Sequence, residues 1–348
     1  GGYNDWLVSR DGSLYLGECY TPARLSHLPS LSVPSSALKR TQNDQGFQPL
    51  KEIAQVAPLL ELARREYPAF YRDWKIVSYD LSNEFYSLWL DKTMTYSCGI
   101  FTDDKTTLEQ ASIEKLDRIC RKLNLCKDDS VLEIGTGWGS FAIHAAKNYG
   151  CKITTTTISD AQYNFAQNRI KEEGLQDKIT ILNKDYRLLE GQYDKIASIE
   201  MIEAVGHKNV KNYFKKVSSL LKDNGLFAMQ GITYNDQNFD VYKNSVDFIN
   251  KYIFPGSCLI SISQVSDIIK KNTSMLFVDL EDITAHYATT LKIWRENFFK
   301  QLPKIKDLGF SDSFINLWEF YFVYCEAGFI EKNIGDYQFV FSKKEGLK

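Results

Sequence analysis

A chain of 348 residues, 44% hydrophobic and 14% aromatic, carries enough apolar mass for one large domain with added elements or for two small ones. Its formal net charge of −2 provides no broad basic field, which argues against nucleic acid as a partner. Seven cysteines without a Cys-x-x-Cys pair and four histidines without ligand spacing leave no metal signature, and such scattered thiols are expected to be reduced, as in a cytoplasmic protein.

Taken in order, Trp6 to Arg10 and Ser13 to Leu16 flank Asp11-Gly12 and read as a short β-hairpin. Residues 29–49 are rich in Ser, Pro, Asn and Gln and read as a linker, and 50–66 as a helix kinked at Pro58. That helix is expected to pack on the body or to meet a lipid surface. Residues 1–70 are accordingly set apart as an N-terminal extension from a catalytic domain at 71–348. Ile113, Leu116, Ile119, Cys120 and Leu123 recur at helical spacing and predict an amphipathic helix leading to the first strand. Strands are predicted near 131–134, 151–158, 179–184, 194–199, 225–232, 277–283 and 337–343, and helices near 139–148, 160–173 and 208–222. Such alternation implies a mostly parallel sheet covered on both faces, with its ligand at the carboxyl ends of the strands. Asp185, Glu203, Gln230 and the loop at Gly135 all fall after predicted strands and are expected at one mouth. Residues 234–276 interrupt the alternation and read as a lid. The aromatic-rich helices predicted at 286–302 and 311–328 form a second insertion, either ordinary core or the wall of a long apolar substrate site. No apolar run reaches the about 18 residues of a spanning helix, and no secretory signal is visible. Any work on a membrane is therefore expected from its surface.

The organising stretch is Val131-Leu132-Glu133-Ile134-Gly135-Thr136-Gly137-Trp138-Gly139. A buried strand that turns through glycines into a helix leaves backbone N–H groups and bare backbone beside a nucleotide-sized ligand. The Gly-x-Gly-x-Gly spacing differs from the Gly-x-Gly-x-x-Gly of a dinucleotide site. The acid expected about 20 residues later for a dinucleotide's ribose is replaced by Thr155-Thr156-Thr157-Ile158-Ser159. NAD is disfavoured, and a single-nucleoside ligand such as S-adenosylmethionine (SAM) fits better.

With these motifs in place, the chain resembles the cyclopropane-fatty-acyl-phospholipid synthase family of SAM-dependent lipid methyltransferases, which includes the mycolic acid cyclopropane synthases. The resemblance runs from about Trp74 to Lys344. It is carried by Tyr79 to Asn83, Met94 to Cys98, Val131 to Gly139 and Ile158 to Gln162, then by Glu200 to Gly206, Tyr252 to Gly256, His286 to Leu291 and Tyr324 to Phe329. It implies an α/β, Rossmann-like class I methyltransferase fold, mostly a seven-stranded sheet, with helical lid insertions and the N-terminal extension.

The resemblance also implies SAM contacts at Tyr96, Ser97, Gly135, Gly137, Thr157, Ile158 and Gln162, with Tyr186 against the adenine. It implies a second small ligand, bicarbonate, held by Cys98, Glu203, Gln230, Ile232 and Tyr287, with Cys98 and Ile232 serving through backbone groups. In that chemistry an alkene attacks the sulfonium methyl, and a small base removes a proton from the resulting cation so that a ring closes. Many relatives carry His where this chain has Gln230 and Ser78; an amide still donates but cannot carry charge. The expected function is conversion of cis double bonds of phospholipid acyl chains to cyclopropane by a cytoplasmic, peripherally membrane-associated enzyme. A homodimer is compatible with the sequence, and no metal or nucleic acid is expected. The rival expectations are a methyl- or methylene-branched product, N-methylation of a small amine, and a SAM-binding lipid carrier without catalysis.

Overall fold

The computed structural model describes residues 81–344 and 346. The expected hairpin, linker and helix of the N-terminal extension, and Ser78, lie outside the described residues. Among the described residues are seven strands: β1 (Ser130–Ile134), β2 (Lys152–Thr157), β3 (Ile179–Asn183), β4 (Tyr193–Ile199), β5 (Leu221–Tyr234), β6 (Met275–Asp282) and β7 (Ile334–Lys343). They form one sheet in the order β3-β2-β1-β4-β5-β7-β6. The first five are mutually parallel, and β7 runs antiparallel to both neighbours. Each predicted strand is present. The largest change is β5, which begins directly after its helix and continues to Tyr234, so Gln230 lies inside the strand and not beyond its end.

The alternation of strands with helices follows from a sheet that must be covered on both sides. Along β1, Val131 faces one apolar layer and Leu132 and Ile134 the other, as the two-residue period of a strand requires. The first layer is built by α2 (Leu108–Lys122), α3 (Ser140–Tyr149) and α4 (Asp160–Glu172), through Leu116, Ile119, Phe141, Ala145 and Ile170. The second is built by α5 (Val210–Leu220) and α6 (Ile262–Asn272), through Phe214, Val217, Val265 and Ile269. Helix α2 starts at a capping box, in which Thr107 and Gln110 each bond the other's backbone N–H. Its buried face is not quite the expected one. Ile113 is exposed, and Lys115 is fully buried on the stripe that also carries Leu108, Ala111 and Leu116.

A third apolar cluster lies outside the sheet. It joins α1 (Asn83–Ser87) to α7 (Thr284–Lys300) and α8 (Asp312–Ile330), the two aromatic helices between β6 and β7. Rings meet mostly edge to face, with Phe85 and Trp318 centroids 5.0 Å apart and Phe298 and Phe322 5.6 Å apart. A largely buried ion pair, Arg295 to Glu326 at 3.0 Å, ties α7 to α8. The expected lid divides in two. A one-turn helix (Phe239–Tyr242) and the π-helical turn Ile249–Ile253 stand over the ligand cavity, whereas α6 is an ordinary member of the sheet-covering layer. No helix among the described residues is long and apolar enough to cross a membrane.

Phe298 is fully buried among Phe85, Trp318 and Phe322 and does not border the cavity. Phe298→Ala should therefore lower stability by about 3–5 kcal/mol while leaving ligand affinity unchanged. Denaturant titration alongside calorimetry with SAM checks both halves.

Candidate active site

The carboxyl ends of β1, β2, β4 and β5 open into one cavity of about 640 Å³, within the about 300–1,000 Å³ common for small-molecule sites. Tyr96, Ser97, Gly135, Gly137, Thr157, Ile158, Gln162 and Tyr186, the residues expected to hold SAM, all border it. The glycine loop is shaped for a ligand at one position in particular. Gly137 has φ +52°, and a Cβ built there would meet no protein atom within 4 Å, so it would project into open space. Gly139 serves packing instead, since its Cβ would approach that of Ala166 to 3.2 Å. The loop is held in place from outside. The Trp138 indole donates to Asn83 at 2.8 Å, and Arg169 donates to the carbonyls of Trp138 and Thr93 at 2.8 and 3.0 Å.

At the end of β2, Thr157 accepts from the Ser159 amide at 3.1 Å and donates to Gln162 at 3.0 Å. Ser159 caps α4. These hydroxyl and amide groups stand where a dinucleotide site would carry its acid. Ser97 is fixed by Lys115, whose ammonium donates to its hydroxyl at 2.6 Å. Lys115 also borders the cavity. Burial lowers its pKa, and the charges of Glu200, Cys98, Asp336 and Asp91 act against that lowering. Lys115 was not singled out in the sequence; its place on an otherwise apolar helical stripe was the signal available. SAM therefore fits the residues present, with open space at Gly137, hydroxyl and amide groups along β2 and α4, and a buried cation beside Ser97.

The expected bicarbonate set has a different fate. Glu203, Ile232 and Tyr287 border the cavity, but Cys98 and Gln230 do not; both are fully buried behind it. Three of the expected donors already share one protein carboxylate. Glu200 Oε1 accepts from the Cys98 amide and from the Gln230 side chain, each at 2.8 Å, and Glu200 Oε2 accepts from the Tyr287 hydroxyl at 2.5 Å. The fourth, the Ile232 amide, donates to Glu203 Oε1 at 2.6 Å. Asp336 lies just behind, accepting from the same Gln230 amide at 3.0 Å. A set of donors already spent on a carboxylate, with two further acids beside it, does not fit a free anion. The four donors expected to hold bicarbonate are thus met by protein carboxylates.

Glu200 and Glu203 are both partly buried and both border the cavity, but their environments differ. Desolvation, then the charge of Glu200, pushes the Glu203 carboxyl pKa up to about 8. Its Oε2 has no protein partner. Desolvation raises Glu200 as well, but Tyr287, Lys115, the Cys98 amide and Gln230 all oppose that rise. Of the pair, Glu203 holds its proton more tightly and Glu200 is the better supported anion.

The far side of the cavity is apolar and aromatic, formed by Leu291, Tyr321, Tyr324 and Phe329 with Phe254 and Leu259 from the segment above. Tyr96 hydrogen-bonds Tyr321 at 2.9 Å, and Tyr287 stacks on Phe329 at 4.3 Å. The rest of the aromatic cluster, including Trp89, Trp294 and Phe298, is core.

Residues 71–339 match the mycolic acid cyclopropane synthetase family. The chain belongs to that family. Its members among the relatives are SAM-dependent lipid methyltransferases and cyclopropane synthases. The chain is 37% identical over 292 residues to tuberculostearic acid methyltransferase UfaA1 of Mycobacterium tuberculosis, covering 81% of this chain and 68% of that protein. It is 39% identical over 274 residues to cyclopropane-fatty-acyl-phospholipid synthase of Escherichia coli, covering 78% and 68%. Among solved structures, mycolic acid cyclopropane synthase CmaA1 complexed with SAH and CTAB superposes with a TM-score of 0.70 at 28% identity, covering 76% of this chain and 95% of that one.

Gly137→Val should weaken SAM binding at least tenfold, because the side chain enters that space and a β-branched residue resists φ +52°. Calorimetry on the folded variant measures it. The Glu203 assignment has a sign of its own. A carboxyl raised from 4.5 to about 8 keeps its proton in the folded state where the unfolded chain has lost it, so its contribution to stability falls as pH rises across that window. Glu203→Gln removes this loss. Relative to the parent it should gain on the order of a few kcal/mol between pH 5 and pH 8, read by denaturation at the two values.

Proposed function

We propose that this methyltransferase transfers the methyl carbon of SAM to a cis double bond in the acyl chain of a membrane phospholipid and closes a cyclopropane ring. The observation that carries the reading is the continuity of the cavity. One space joins the glycine loop, Thr157 and Gln162 to a wall of Tyr321, Tyr324, Phe329 and Leu291. A small polar amine would leave that wall without a partner, whereas an acyl chain covers it at about 25 cal/mol per Å² of apolar surface removed from water.

In the reaction the alkene π pair forms a bond to the methyl carbon, and the carbon–sulfur bond breaks with its electrons going to sulfur. Tyr96, Ser97, Thr157 and Gln162 position the donor, and the aromatic wall positions the chain. Loss of a proton from the added methyl closes the ring.

A peripheral encounter with the membrane is supported by exposed apolar residues next to the mouth. Ile158 borders the cavity, and Leu188, Val241 and Val246 adjoin its lining residues Arg187, Tyr242 and Asp247 in the chain. The lipid would be drawn into the cavity from the bilayer surface, at the cytoplasmic leaflet.

Lipids from cells expressing the protein and fed methyl-labelled methionine should gain one labelled CH₂ per modified double bond, with loss of the alkene. Chromatography against cyclopropane and branched standards identifies the product. Methyl- or methylene-branched chains would replace the ring assignment, and label found only in small amines would overturn the lipid reading.

A further inference from the structure

We propose that the Glu200 carboxylate fills the anion position of this site and is the chain's own acceptor for the proton released on ring closure. This deepens the lipid reading and rests on it.

The geometry points to Glu200 on three counts. First, its backbone adopts φ +45°, a left-handed conformation that costs a non-glycine residue about 1–2 kcal/mol. Strain of this kind persists where surrounding structure over-determines it. Here the turn at the end of β4 aims the side chain at three donors from three separate elements: the Cys98 amide, the Gln230 amide of β5 and the Tyr287 hydroxyl of α7. Second, the oxygens are unequally used. Oε1 accepts two hydrogen bonds and Oε2 one, so a lone pair on Oε2 is free for a proton. Third, the other groups at the cavity are poorly suited. Glu203 has one donor, and its raised pKa of about 8 keeps it protonated near neutrality. Tyr287 donates its own proton to Glu200, and burial raises its pKa well above the usual range. Lys115 is committed to Ser97.

The step balances without a further reactant. After methyl transfer, the electron pair of a C–H bond of the added methyl moves to the cationic carbon and forms the third ring bond. The proton passes to Glu200 Oε2, giving the neutral acid, and leaves to solvent when the product does. A desolvated carboxylate is a stronger base than one in water, which suits a group that must accept a proton from carbon near pH 7.

Two variants and two readouts test this. Glu200→Gly opens the position, and glycine adopts φ +45° without strain. Glu200→Gln fills it with a group that cannot act as an anionic base. With SAH bound, carbon-13 NMR should show no bound labelled bicarbonate in the parent and a bound, slowly exchanging signal in Glu200→Gly. In carbonate-free buffer both variants should keep SAM affinity within about twofold and lose about 10²–10⁴ in ring formation. Added formate or bicarbonate should restore Glu200→Gly at least tenfold, leave Glu200→Gln unrescued, and leave the parent rate unchanged. Bicarbonate bound to the parent, a parent rate that needs bicarbonate, or a loss in Glu200→Gly that neither anion reverses would each overturn the assignment. If the parent converts no lipid, the lipid reading fails on its own, and the NMR result still decides whether the carboxylate holds the anion position.

Discussion

A single carboxylate joins the parts of this molecule that would otherwise be independent. Glu200 directly follows β4, Cys98 belongs to the segment before α2, Gln230 to β5 and Tyr287 to the aromatic helix α7. Taking a carboxylate from bulk water is costly unless its lone pairs are met, and hydrogen bonds to an ionised acceptor are roughly twice as strong as neutral ones. Satisfying Glu200 therefore fixes the sheet, the N-terminal segment and the helical insertion relative to one another. The charge of the buried Lys115 adds to the same balance. The left-handed turn at Glu200 also sends the chain into the 3-10 turn Ile202–Val205, which brings Glu203 to the same cavity.

Around this centre the cavity divides by origin. The glycine-loop half comes from the carboxyl ends of parallel strands, where successive loops open on one side of the sheet because the strands share a direction. The aromatic half comes from the insertion between β6 and β7. Within α8 the helical repeat assigns the aromatics to two tasks. Tyr321, Tyr324, Cys325 and Gly328 recur at spacings of three and four and border the cavity, whereas Trp318 and Phe322 sit in the packed cluster. One aromatic helix is thus both core and wall, and the two readings weighed for it in the sequence describe its two faces.

Much was legible before any tertiary contact was known. Strand and helix existence followed from local periodicity, because a sheet covered on both faces demands continuous apolar runs and each intervening helix demands a stripe. That the residues expected to hold SAM line one cavity was legible because they are neighbours along the chain: a glycine loop after one strand, and Thr157, Ile158 and Gln162 after the next. What misled was of another kind. Ile113 has the right spacing for the core, yet the neighbouring stripe is buried, and Lys115 enters it because Ser97, Glu200 and Asp336 surround its ammonium. The covering segment was read as continuous to 276 because polar helical sequence does not reveal whether a helix caps a cavity or lines a sheet.

The sequence by itself determined the α/β alternation, the glycine loop and the strand-end side of the cavity, all of which depend on residues close together in the chain. Only the tertiary structure decided which acid occupies the centre. Glu200 and Glu203 are three positions apart in one motif, and nothing local separates them. Their difference arises from partners 29 to 102 residues away, three donors for one carboxylate and a single amide for the other. Electrostatic environment in a low-dielectric site is set by everything that packs around a group, and that information exists only once the chain has folded.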